Sequence, residues 1–125
     1  MNDHLMPVNL SVYQSLKSML LASGQLDLVI QAFIDNSAVR LGDLHLAIQA
    51  QSFTKISEIT HAIKGSCSML GCARCTELCE AIETAAKRKN IADVQIFTNK
   101  LHEDIDAVIL FLKRDRSGPS QGCCE

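Results

Sequence analysis

The apolar positions of this chain fall into long helical stripes separated by short polar breaks. Residues 1–8 form a polar lead with Pro7 and no periodicity. A short apolar segment runs from Leu10 to Leu21 and stops at Ser23-Gly24. From Gln25 to Gln51, Leu26, Ile30, Phe33, Leu41, Leu44 and Ile48 recur at steps of three, four and seven, which predicts one amphipathic helix. Gly42 in its middle weakens it by roughly 1 kcal/mol relative to Ala and marks a place to bend. Ser52 fits the N-cap of a second long helix, striped by Phe53, Ile56, Ile59, Ile63, Cys67 and Leu70. Gly71 then stands where a helix end wants a left-handed residue. A third helix, from about Cys72 to Lys89, turns Cys75, Leu78, Ile82 and Ala85 inward. Its last turn, Lys87-Arg88-Lys89, complements the helix dipole. Asn90, with Asp93 three residues later, resembles a helix start. The last helix carries Val94, Phe97, Leu101, Ile105, Val108 and Leu112.

No internal repeat or low-complexity block interrupts this pattern. Long amphipathic helices with short links predict an all-α fold, an antiparallel up-and-down four-helix bundle over residues 9–114. A short additional N-terminal helix would pack across one end. From Asp115 the composition turns to Arg, Ser, Gly, Pro and Gln, so residues 115–125 are expected to be a flexible tail like the lead at 1–8.

Composition narrows the function more than the fold. A length of 125 residues is one domain's worth. The chain is 47% hydrophobic but only 4% aromatic, with no Trp, so the core must be Leu, Ile, Val, Ala and Cys. Few aromatics and two Pro argue against a β-sandwich. Twelve basic against 14 acidic residues give a net charge of −2, which makes no electrostatic case for nucleic acid or a membrane surface. No apolar run approaches the ~18 residues that span a bilayer. The start, Met1-Asn2-Asp3-His4, lacks a basic region followed by an apolar stretch, so no secretory signal is expected. The cysteines stand at 67, 72, 75, 79, 123 and 124, all in the second half, whereas a disulfide framework would spread them. Reduced thiols in the cytoplasm are therefore expected.

One segment departs from plain bundle sequence: Thr60-His61-Ala62-Ile63-Lys64-Gly65-Ser66. On a helical wheel the core stripe centres near Ile56, Ile63 and Cys67, and His61 lies roughly 150° away from it. Gly65 falls nearly opposite the core, and Ser57, Lys64 and Ser68 share the exposed region. A glycine inside a helix costs roughly 1 kcal/mol against Ala, and an exposed position has no packing need for one. Without a Cβ, the surface beside the imidazole stays open to a partner or to a group as large as phosphate. Lys64, at i+3, can pair its ammonium with an anion carried on the ring. Ser66 is placed to bond back to a carbonyl. A lone surface histidine is usually only a solvated residue; the Lys and Gly at this spacing are what lift His61 above that reading.

His61-Ala62-Ile63-Lys64-Gly65-Ser66, followed by Met69-Leu70-Gly71, resembles the signature of histidine-containing phosphotransfer (HPt) domains. Leu78-Cys79 and Ile82-Glu83 in the next helix are also similar to the family's pattern, and the similarity spans about residues 25 to 113. Thr60 stands where the family often has Ala, a small departure at a position bordering the core. The resemblance implies a four-helix bundle in a multistep phosphorelay. Phosphate would pass between His61 and the aspartate of a response-regulator receiver domain, of a hybrid sensor histidine kinase or a downstream regulator. It implies His61 as phosphoacceptor, Lys64 balancing phosphoryl charge, Gly65 keeping the approach clear and Gly71 as structural. Ser57, Lys64 and Ser68 would lie in the docking ground. The receiver would bring Mg²⁺, so no cofactor or metal is expected on this chain. The chain would be a monomeric phosphocarrier without an ATP site of its own, since Gly65-Ser66 has no P-loop around it.

Two other readings compete. Cys72, Cys75 and Cys79 share one helix face and could bind metal or sense redox state. Against this, free Cys is among the most buried residue types and no second Cys-x-x-Cys is present. The chain could also dock receivers without transferring phosphate, but the intact His61 argues against that. Cys123-Cys124 lacks a prenylation context and reads as incidental thiols. His4, His45 and His102 are scattered and read as solvated or boundary residues.

Overall fold

The computed structural model describes the backbone of residues 7–124 and the side chains of residues 7–115. Five helices follow one another: α1 Leu10–Ser23, α2 Leu26–Gln49, α3 Phe53–Leu70, α4 Ala73–Lys87 and α5 Ile91–Cys124, with no strand among the described residues. Helices α2 to α5 each pack on the next, and α5 returns to α2, closing a ring of four. Only residues 50–52, 71–72 and 88–90 link them, too few for anything but antiparallel neighbours.

The stripes meet inside this ring. Ile30, Phe33, Leu44 and Ile48 come from α2, and Ile56, Ile63, Cys67 and Leu70 from α3. Cys75, Cys79 and Ile82 come from α4, and Val94, Leu101, Ile105, Val108 and Leu112 from α5, all buried. Phe53, Ile59, Leu78 and Phe97 are only partly buried against this core. The inward place expected of Leu78 is thus taken by Cys79. Thr60 is also fully buried, and its hydroxyl has no hydrogen-bond partner among the described residues.

The helix ends follow local chemistry, with some differences from expectation. Asn90 caps α5: its Oδ1 accepts from Asp93 N–H at 3.1 Å and its Nδ2 donates to the Asp93 carboxylate at 3.0 Å. Ser52 occupies the N-cap of α3, but its side chain makes no capping bond there. Of the three basic residues expected in the last turn of α4, only Lys87 lies in it; Arg88 is the cap and Lys89 follows in a left-handed turn, φ 57°.

Helix α1 closes the end of the bundle where α3 hands over to α4. Asn9 N–H donates to Gly71 O at 2.8 Å, and Asn9 Oδ1 caps α1 by accepting from Val12 N–H at 3.1 Å. Gly71 has φ 79°, and a Cβ there would come within 2.9 Å of Val12 Cβ. Tyr13 sets its ring edge-on to Phe111 of α5 at 5.3 Å. One residue at the inner edge of each proposed flank is held by the bundle. Val8, assigned to the lead, is buried in the core because the chain beside it is tied to Gly71; residues 1–6 lie outside the described residues. Asp115, assigned to the tail, accepts from Tyr13 Oη and Lys17 Nζ, both at 2.7 Å. Helix α5 runs on through it to Cys124.

Candidate functional site

The segment singled out by its sequence lies in the middle of α3, on the side turned from the core. Ile56, Thr60, Ile63 and Cys67 anchor that helix, so the residues between them are held in fixed outward directions. His61 is 73% exposed. Gly65, one turn on, is exposed, and a Cβ there would meet nothing within 4 Å. The opening beside the ring is thus free of the chain's own atoms.

The residue that organises the site comes from another helix. Glu83 on α4 places Oε2 3.2 Å from His61 Nδ1 and Oε1 3.1 Å from Lys64 Nζ. A carboxylate can only accept, so Nδ1 must carry the hydrogen, and in the neutral ring Nε2 then keeps its lone pair. The contact therefore selects a tautomer and an orientation, and it points the unprotonated nitrogen outward. Lys64 and Glu83 are 24% and 19% exposed in their side chains, so this pair sits at the foot of the ring, not out in solvent.

The structure brings together some expected residues and moves others. His61, Lys64 and Gly65 share one patch. Lys64 is half-buried and its ammonium is already on Glu83. Ser57 is half-buried at the edge of the patch. Ser68 is exposed, its hydroxyl 3.3 Å from that of Thr76 on α4. Ser66 does not bond back to a carbonyl; its hydroxyl accepts from Arg40 Nη1 of α2 at 3.0 Å. Arg40 and the exposed Met69 flank the open face on the side away from Glu83; Arg40 was not singled out from sequence, and Met69 was quoted only within the motif. Glu83 had appeared only as part of a pattern match, since nothing in one helix's periodicity reports a partner on the next.

The competing cysteine site has a different character. Cys67, Cys72, Cys75 and Cys79 are buried free thiols. Among the described residues, no group of three or more His, Cys, Asp and Glu is placed to hold a metal ion. His45 lies 3.3 Å from Gln49 and His102 lies 4.0 Å from Asp106, both on the surface; His4 and the side chains of Cys123 and Cys124 lie outside the described residues. No helix among the described residues is long and apolar enough to cross a membrane.

Comparison with known proteins agrees with this geometry. The family model for the Hpt domain matches residues 28–110. Histidine-containing phosphotransfer protein B (HptB) from Pseudomonas aeruginosa superposes with a TM-score of 0.83 at 22% identity, covering 89% of this chain and 95% of that one. The maize histidine-containing phosphotransfer protein ZmHP2 gives 0.75 at 17% identity, covering 87% of this chain and 86% of its own. At those identities the two structures speak for the fold. Among curated protein sequences, none matches this chain.

Proposed function

Because the chain belongs to the Hpt domain family, whose work is histidine phosphotransfer in phosphorelays, we propose that His61 is the residue that carries the phosphoryl group. One observation supports this most directly: an exposed imidazole whose Nδ1 is held by Glu83, with open space one turn on at Gly65. In transfer from an aspartyl phosphate, the Nε2 lone pair attacks phosphorus in line. The P–N bond forms, the P–O bond to the aspartate breaks, and the receiver's carboxylate leaves. The Nδ1–H remains on Glu83, whose charge offsets the positive ring. Lys64 exchanges its bond to Glu83 Oε1 for a phosphoryl oxygen and neutralises part of the incoming charge. Transfer of this kind needs mainly positioning and charge stabilisation, and a rigid helix supplies both.

Hpt domains interact with response-regulator receivers. For this chain we place the receiver over Gly65, with Ser57 and Ser68 on the α4 side and Arg40 and Met69 on the other. The partner would belong to a hybrid sensor kinase or a downstream regulator and bring the Mg²⁺ that its own aspartate chemistry requires. The chain would work as a cytoplasmic monomer and as a phosphocarrier. Incubation with a phosphorylated receiver is expected to leave acid-labile, alkali-stable phosphate on the protein. His61→Gln should abolish that label with an unchanged helical circular-dichroism signal, and persistence of the label would overturn the assignment.

A further inference from the structure

The phosphotransfer reading uses none of the four thiols buried at the corner between α3 and α4. Cys67, Cys72, Cys75 and Cys79 are each at most 1% exposed. Cys72 N–H donates to Cys67 O at 2.9 Å and Gly71 N–H to Ser68 O at 3.1 Å, the two bonds of a Schellman turn. In that motif the residues Cys67 and Cys72 occupy the positions whose side chains pack on each other. Cys72 is also the N-cap of α4, and Cys75 follows three residues later in its first turn. The Cys67 and Cys72 thiols are the neighbours that act most strongly on the Cys75 thiol. Cys67, Cys72 and Cys75 are thus neighbours at this corner, with Cys75 influenced by both of the others.

Three features set Cys72 and Cys75 apart from ordinary core cysteines. Helix geometry puts Cα atoms three residues apart at about 5 Å, inside the roughly 4.4–6.8 Å over which a disulfide closes. Closing it needs no movement of one helix against another. Next, the neighbouring Cys67 and Cys72 thiols, and then the Arg74 guanidinium, draw the Cys75 thiol below the ordinary range, although burial pushes the other way. Cys67 and Cys72 are pushed up, first by Cys75 and then by burial. Finally, an open depression of about 430 Å³, lined by Arg74, Glu77, Leu78, Lys100, Glu103 and Asp104, lies over this turn of α4. The Asp104 carboxyl in its wall, raised mainly by burial, also feels the negative charge of Cys75.

We propose that Cys72 and Cys75 form a redox-active dithiol that a hydroperoxide converts to an intrachain disulfide. The Cys75 thiolate attacks one peroxide oxygen; an S–O bond forms, the O–O bond breaks, and the other oxygen leaves as water or alcohol after taking a proton. The Cys72 sulfur then attacks the resulting sulfenic sulfur. The S–S bond forms, the S–O bond breaks, and the hydroxide departs as water with the Cys72 proton. The two thiols lose two electrons and the peroxide gains them; a small dithiol reverses the change. Cys67 remains a thiol and holds the Cys75 sulfur from the neighbouring helix. The proposal stands apart from the phosphoacceptor assignment.

The test uses the full chain carrying Cys123→Ser and Cys124→Ser, folded and treated with hydrogen peroxide. Remaining thiols are then alkylated under denaturing conditions before digestion with trypsin. Cleavage after Arg74 separates Cys72 from Cys75, so the disulfide ties two peptides together. The expected product is that linked pair, two hydrogens lighter than its separate parts, with Cys67 and Cys79 alkylated. The link should disappear with dithiothreitol and be absent in Cys72→Ala and Cys75→Ala. Four alkylated thiols after peroxide, a link that maps to Cys67, or a link formed only in unfolded protein would each overturn the proposal. If an alanine variant fails to fold, the peptide map of the parent chain decides alone.

Discussion

The Glu83 carboxylate on α4 stands 3.2 Å from Nδ1 of His61 on α3, and this contact separates His61 from a solvated surface histidine. It fixes which nitrogen carries the hydrogen and which way the ring faces. The same carboxylate, through its other oxygen, holds Lys64 at 3.1 Å. One acidic residue thus keeps a nucleophile and a cation in register across two helices. The packing of α3 on α4 sets that register.

Glu83→Gln keeps the size of the side chain but offers a donor as well as an acceptor, so it no longer dictates the tautomer. Transfer from a phosphorylated receiver is expected to slow by about tenfold to a hundredfold, the usual range for a group that orients an imidazole. Nitrogen NMR of the His61 ring should change from one dominant tautomer to a mixture. An unchanged rate together with an unchanged ring spectrum would leave Glu83 with a structural role only.

Lys64→Ala removes the cation that exchanges Glu83 for phosphoryl oxygen. Labelling is expected to slow by roughly tenfold without stopping, because in-line positioning by α3 survives. The pair with Glu83 is still a quarter exposed on the lysine side, and such pairs contribute about 1 kcal/mol or less, so the thermal midpoint should barely move. Equal rates in the variant and the parent would take Lys64 out of the transfer step.

The two glycines of the motif should respond oppositely. Gly65 is helical with nothing within 4 Å of an added Cβ, whereas Gly71 has φ 79° and Val12 Cβ at 2.9 Å. Gly65→Gln is expected to raise stability by roughly 0.5–1 kcal/mol while slowing transfer by tenfold or more, because its side chain fills the approach to Nε2. Gly71→Ala is expected to cost about 2 kcal/mol, from the left-handed backbone and the collision with α1, and to leave the transfer rate of the folded fraction intact. Chemical denaturation and receiver labelling on both variants check this. A destabilised Gly65→Gln would mean that its face is packed.

The parts of this site legible in the sequence are those that one helix carries by itself. The 3.6-residue period placed Ile56, Ile63 and Cys67 inward, and by difference it placed His61 and Gly65 outward. What was missed comes from contacts between elements. Glu83 and Arg40 reach the site from α4 and α2, and no period within α3 reports them. Val8 is a single apolar residue after Pro7, and Asp115 is a charge at the edge of a polar run; neither has a pattern to place it. Both are fixed by α1, whose N-cap is tied to Gly71 and whose Tyr13 and Lys17 reach α5. Leu78, expected inward, is only partly buried while the adjacent Cys79 takes the core place, because neighbouring positions on a narrow stripe differ by one helix step and the packing of two neighbours decides between them.

The Tyr13–Asp115 contact carries a pH signature. Burial first, then the hydrogen bond to Asp115 and its negative charge, raise the Tyr13 phenol above its ordinary value near 10. The folded state therefore keeps this proton at a pH where the unfolded chain releases it. Its contribution is fully present below about pH 10 and is lost as pH rises from there towards the folded value. Thermal midpoints measured by circular dichroism should fall above about pH 10. Tyr13→Phe keeps the ring against Phe111 but has no proton to lose. It should lower the midpoint near neutrality, by the equivalent of about 1–2 kcal/mol for a hydrogen bond to a charged acceptor, and flatten the alkaline fall. Lys17 also faces Asp115, but it is present in both proteins, so the difference between the two slopes isolates the phenol. Identical alkaline slopes would show that Tyr13 is not the source. A midpoint unchanged at neutral pH would show that Asp115 does not tie α5 to α1.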